Sequence, residues 1–156
     1  MRLVLLFILL PALAQANGVE ITRIWPAWRD TASFVRISEY FGGKENTGRQ
    51  TMLRTQPDAR DGFYFLTRVN NTGPAQAEAR FVLEVIAPDS PTPKVFRFTT
   101  ALPHGSHVFN LGLTGQDWAG EAVHPVAWRL RLQDSGDREI AQSQSYLWQM
   151  PDATKH

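Results

Sequence analysis

Cysteine is absent from the 156-residue chain, and its absence excludes several chemistries at once. No disulfide, thiolate metal site, cysteine nucleophile or cysteine-borne lipid anchor can form. An excess of one charge sign is lacking too: 16 Lys and Arg face 15 Asp and Glu, a formal net charge of +1. Nucleic acid is therefore not an expected partner, because phosphate binding needs a basic excess on one face. Nor is there a polybasic segment for an anionic membrane surface. Beyond Leu10 no long apolar run occurs. G-x-S-x-G and H-E-x-x-H are missing, and Phe41-Gly42-Gly43-Lys44 is too short for a P-loop.

What is present begins with an export address. Met1-Arg2 gives a positive start, Leu3 to Leu10 is apolar, Pro11 ends the run, and Ala14-Gln15-Ala16 supplies a small-x-small cleavage site. The apolar run is too short to span a bilayer, which takes about 20 residues. Residues 1–16 are thus expected to be a removable signal peptide, and the mature protein to start at Asn17 as a soluble, periplasmic or extracellular protein without membrane insertion. Removing 16 of 156 residues leaves 140, and losing Arg2 leaves 15 basic against 15 acidic residues. That length supports one domain held together by burial alone.

From residue 49 to about 150 the chain consists of short alternating segments broken by turn residues, the pattern of an all-β sandwich. Trp128-Arg129-Leu130-Arg131-Leu132 puts apolar residues on one face and arginines on the other. Asp134-Ser135-Gly136-Asp137 is the turn of a hairpin returning through Arg138 to Trp148. Strands are also expected at 49–55, 62–69, 81–85, 95–99 and 107–113. Pro88-Asp89-Ser90-Pro91 is read as a break between two of them. Seven strands result, with Phe63, Phe65, Phe81, Leu83, Trp128, Leu130 and Leu132 as the expected core.

Residues 17–48 form an N-terminal extension expected to pack on the sandwich. Val19 to Trp25 reads as a strand stopped by Pro26. Phe34, Ile37 and Phe41 then fall at helical spacing, with Asp30 or Thr31 as cap and Gly42-Gly43 as stop. Strand alternation through Val35, Ile37 and Phe41 competes, against Glu39. Residues 44–50 read as loop, and 151–156 as a polar tail.

The succession of segments resembles the immunoglobulin-like and fibronectin-III-like β-sandwich domains of exported bacterial proteins. The likeness rests on a strand running into Asn70-Asn71-Thr72-Gly73, another ending at Ala87-Pro88-Asp89, Leu102-Pro103-His104-Gly105-Ser106 leading into Val108-Phe109-Asn110-Leu111, and the hairpin at 134–137. It implies an accessory or adhesive role, by analogy of fold alone.

Three constellations could carry chemistry. His104 and His107, with His124, have the composition of a metal site, which needs three or four ligands converging at about 2 Å. That is the basis of an alternative reading as a cell-envelope hydrolase. The simpler reading is a turn leading into a strand, with His107 facing solvent. Ser106 lies between two histidines, but strand neighbours face opposite ways. Asp58, Asp61, Glu39 and Glu45 could supply a carboxylate pair, yet Arg54, Arg60 and Lys44 lie close in sequence, so ion pairs are the expected state. Tryptophan is the last candidate. Trp128 reads as core and Trp148 as the end of the last strand. Trp118 in the loop 114–124, and Trp25 and Trp28 beside Arg29, could stack on sugars or anchor a protein, or else plug the ends of the sandwich.

The leading expectation is a non-catalytic accessory or protein-interaction domain with no cofactor and no bound metal, whose binding surface includes Trp25, Trp28, Arg29 and Trp118. Its partner would be a protein or cell-envelope component, and a carbohydrate-binding module is the alternative.

Overall fold

The computed structural model describes residues 18–34 and 48–149. The expected signal peptide, the polar tail, Glu39, Glu45 and most of the expected helix over 30–41 lie outside those residues. Eight strands run through the described chain: β1 (Val19–Arg29), β2 (Thr51–Arg54), β3 (Gly62–Asn71), β4 (Gln76–Ala87), β5 (Ser90–Leu102), β6 (Gly105–Thr114), β7 (Ala127–Asp134) and β8 (Glu139–Gln144). A one-turn helix, α1 (Tyr146–Gln149), follows them. Two four-stranded sheets form, ordered β1-β3-β6-β2 and β5-β4-β7-β8. All pairings are antiparallel except β2 with β6. The chain is an immunoglobulin-like β-sandwich.

Period-two alternation sends Phe63, Phe65 and Val69 of β3, and Phe109, Leu111 and Leu113 of β6, into the space between the sheets. They meet Phe81, Leu83 and Val85 of β4 and Leu130 and Leu132 of β7 in one buried cluster. Six of the seven expected core residues are buried there. The seventh, Trp128, is half-buried, packed against the cluster with its ring edge-on to Phe65 at 5.8 Å.

Two strands outrun their sequence signals, both through proline. β1 continues past Pro26 to Arg29, and β5 resumes at Ser90 and passes through Pro91 and Pro93. Both are edge strands, where a missing N–H interrupts no ladder on the open side. The strand of the N-terminal segment is therefore hydrogen-bonded along β3, from Val19 opposite Asn71 to Arg29 opposite Gly62.

Within the expected helix, Thr31–Phe34 is a 3-10 turn. Ser33 N–H donates to Asp30 Oδ1 at 2.9 Å, as the expected cap would have it. Phe34 lands on the outer face of the first sheet, its ring 4.8 Å from that of Tyr64. Tyr64 is fully buried there over Gly112, and its hydroxyl donates to Arg60 O at 2.7 Å while accepting from Arg54 Nε at 2.6 Å.

Candidate functional site

The alternation that turns Trp128, Leu130 and Leu132 inward turns Arg129 and Arg131 outward on β7. The register opposes them with Glu84 and Val82 of β4, which face Val95 and Arg97 of β5. Three arginines thus surround one carboxylate on the outer face of the β5-β4-β7-β8 sheet. Arg129 grips Glu84 with both arms of its fork, Nε to Oε2 at 2.7 Å and Nη2 to Oε1 at 3.0 Å. Arg131 Nε lies 3.4 Å from the same Oε2. The hydrogen bond from Arg129 holds the Glu84 carboxyl below its ordinary range, with help from the charges of Arg129, Arg131 and Arg97 and against the effect of burial. Val82 is only 2% exposed although it faces outward, flanked by Arg97 and Arg131. Long arginine stems cover such a residue while their heads stay wet.

At one margin of this face α1 supplies aromatics. The Arg129 guanidinium sits 5.0 Å from the ring centroid of Trp148, and Tyr146 and Leu147 are 75% and 53% exposed. Trp148 lies in this turn, one step beyond β8, and not at a strand end as expected. Arginine, tryptophan and tyrosine are the residue types that dominate protein-binding hot spots. Here the arginine is already held in place before any partner arrives.

The residues singled out from sequence do not form one surface. Trp25 and Trp28 are three apart on β1, so they face opposite sides. Trp28 packs on the core, whereas Trp25 lies outside, with Arg23 4.3 Å and Arg68 5.6 Å from its ring centroid. Arg29 is half-buried, 5.9 Å from the Phe34 ring. Trp118 is 7% exposed, its indole N–H donating to Val123 O at 3.0 Å and its ring 5.2 Å from Phe63. It plugs one end of the sandwich. Beside it a largely apolar cleft of about 280 Å³ runs past Ala87, Pro88 and Val123.

The histidine cluster does not assemble. His104 Nδ1 is 2.8 Å from Gly73 O, beyond the end of β3 marked by Asn71. His124 stands edge-on to Phe63 at the start of the same strand. Asn71 and Phe63 are eight residues apart, on the order of 26 Å at 3.3 Å per residue. His107 does not face solvent as expected; it is half-buried, with Nε2 3.0 Å from Thr51 Oγ1. Among the described residues no group of three His, Asp or Glu could hold a metal ion. Asp61 accepts hydrogen bonds from the backbone and hydroxyl of Thr31, tying the 3-10 turn to β3. Asp58 is exposed.

No family model and no curated protein matches the chain. Two of the solved structures similar in outline differ greatly in length. One is β-glucuronidase 2 of Bacteroides uniformis, solved covalently bound to cyclophellitol-6-carboxylate aziridine, at TM-score 0.43 and 11% identity over 81% of this chain. This chain spans only 14% of its length. The other is an immunoglobulin-like protein of Pseudomonas aeruginosa, at TM-score 0.36 and 18% identity over 83% of this chain and 96% of that one. Superpositions this loose transfer no activity.

The arginine face was half legible. The alternation in 128–132 announces outward arginines, but nothing in the sequence pairs Glu84 with Arg129 across 45 residues. That pairing needs the β4–β7 register.

Proposed function

We propose that this chain is an exported, non-catalytic interaction domain that recognises a protein of the cell envelope through the outer face of the β5-β4-β7-β8 sheet. The observation carrying this reading is Arg129, fixed by Glu84 and stacked on Trp148 beside the exposed Tyr146 and Leu147. A preformed arginine–aromatic cluster on a rigid sheet saves the ordering cost of binding. Export rests on the arrangement of residues 1–16.

Photo-crosslinking in the exporting cell tests both parts. A crosslinker at Leu147 should give one adduct of fixed mass with an envelope protein, and the adduct should disappear with Arg129→Ala. A crosslinker at the exposed Asp58, between β2 and β3 of the other sheet, should give none. Mass spectrometry of the exported protein should find Asn17 at its N-terminus. Equal adducts from both positions refute the face, and an intact Met1 refutes the export.

A further inference from the structure

The outer face of the other sheet carries two arginines in an arrangement that a protein without a ligand does not favour. Arg23 of β1 and Arg68 of β3 are directly opposite in register, and like charges directly opposed on adjacent strands are destabilising. Both guanidiniums lie against Trp25, at 4.3 and 5.6 Å. The two arginines are exposed, and among the described residues no carboxylate pairs with either. Arg131 and Arg97 on the far sheet at least share Glu84; these two share only an indole. The indole orients the forks, but its quadrupole does not neutralise two charges.

The row next to the two arginines, toward Asn70, is polar and carries one charge, Glu20. The next row on the same face places Asn70 opposite Ser106, with Ser106 exposed and Asn70 half-buried. Trp25, Arg68 and Asn70 thus occupy three successive rows spanning about 13 Å. Glu20 ends the last row, opposite Asn70, so an anion would sit at the Arg23–Arg68 row and not beyond it.

We propose that Arg23, Trp25 and Arg68 form a binding site for the anionic groups of an acidic polysaccharide. An oxyanion bridging two guanidinium forks relieves their repulsion and accepts hydrogen bonds from both. Asn70 and Ser106 offer the amide and hydroxyl partners that sugar hydroxyls need. A nucleic acid does not fit, because the balanced charge of the chain gives it no broad basic face. This site is independent of the protein-binding face on the other sheet.

The test is titration of the exported, full mature protein with dextran sulfate, polygalacturonate, polyglutamate and neutral dextran, followed by tryptophan fluorescence and calorimetry. Dextran sulfate, polygalacturonate or both should bind; which of them does assigns sulfate, carboxylate or either as the anion. R23Q/R68Q should weaken binding at least tenfold, and R97Q/R131Q on the other sheet should change it less than twofold. Failure of both acidic polysaccharides to bind overturns the proposal. So does equal binding of neutral dextran, equal or tighter binding of polyglutamate, or equal loss in the two double variants. If R23Q/R68Q does not fold, chemical modification of wild-type arginines by phenylglyoxal, read by peptide mass, replaces it. Dextran sulfate or polygalacturonate should then protect Arg23 and Arg68, and no protection by either overturns the site.

Discussion

Glu84 is the titratable group on which the arginine face depends. The hydrogen bond from Arg129 holds its pKa below the ordinary 4.5. A lowered folded-state value contributes stability that is present above pH 4.5 and is lost as pH falls through the lowered value. Glu84→Gln should therefore destabilise the protein at pH 7 by about 1–2 kcal/mol, the scale of a charge-assisted hydrogen bond at a partly exposed site. The gap from wild type should close as pH falls below 4.5, and urea unfolding across pH 3–7 measures it. A gap independent of pH would remove the electrostatic account. Gly112 makes a second residue-scale case. A Cβ there would come 2.4 Å from Tyr64 Cε1, and Tyr64 is held by Arg54, Arg60 O and Phe34. Gly112→Ala should cost about 1–3 kcal/mol by overpacking, visible as a lower melting temperature. In sequence Gly112 is merely a glycine in a strand, because the ring that fills its place comes from 48 residues away.

Strand positions were read well from alternation, and strand ends poorly at proline. Pro26 was expected to stop β1, and the pair Pro88 and Pro91 to separate two strands widely. Both expectations assume a strand with neighbours on two sides, and β1 and β5 have one. Edge position depends on topology, so local composition could not reveal it. The same ignorance of face and edge put Trp25, Trp28 and Trp118 on one binding surface, when β1 alternation separates the first two and the core takes the third. For β1 the consequence is testable. Val19, Ile21, Ile24 and Trp28 pack on the core, and fully burying one such side chain contributes about 1.5–3 kcal/mol. A chain starting at Arg49 also leaves the long β3 as an unprotected edge. It should melt well below the full mature protein, bind a hydrophobic dye and aggregate. A truncated chain as stable and soluble as the parent would mean that β1 is dispensable to the sandwich.

At the scale of the whole molecule, two different outer faces are held apart by one core. Sheets packed face to face lie about 10 Å apart, and the cluster between them includes residues of both sheets, from Phe65 and Leu111 to Leu83 and Leu130. Nothing covalent reinforces it, since the chain has no cysteine. Unfolding should therefore be one cooperative transition that reductant does not shift. Leu130 is fully buried at the centre of the β4–β7 pairing, opposite Leu83. Its side chain also lies on the strand that carries Arg129 and Arg131. Leu130→Ala should cost about 2–5 kcal/mol, lowering the melting temperature by on the order of 10 °C. Because both faces rest on this core, calorimetry should still show a single peak at the lower temperature. Two separated peaks would mean that the sheets unfold independently, and that each face is supported by its own strands rather than by the packing between them.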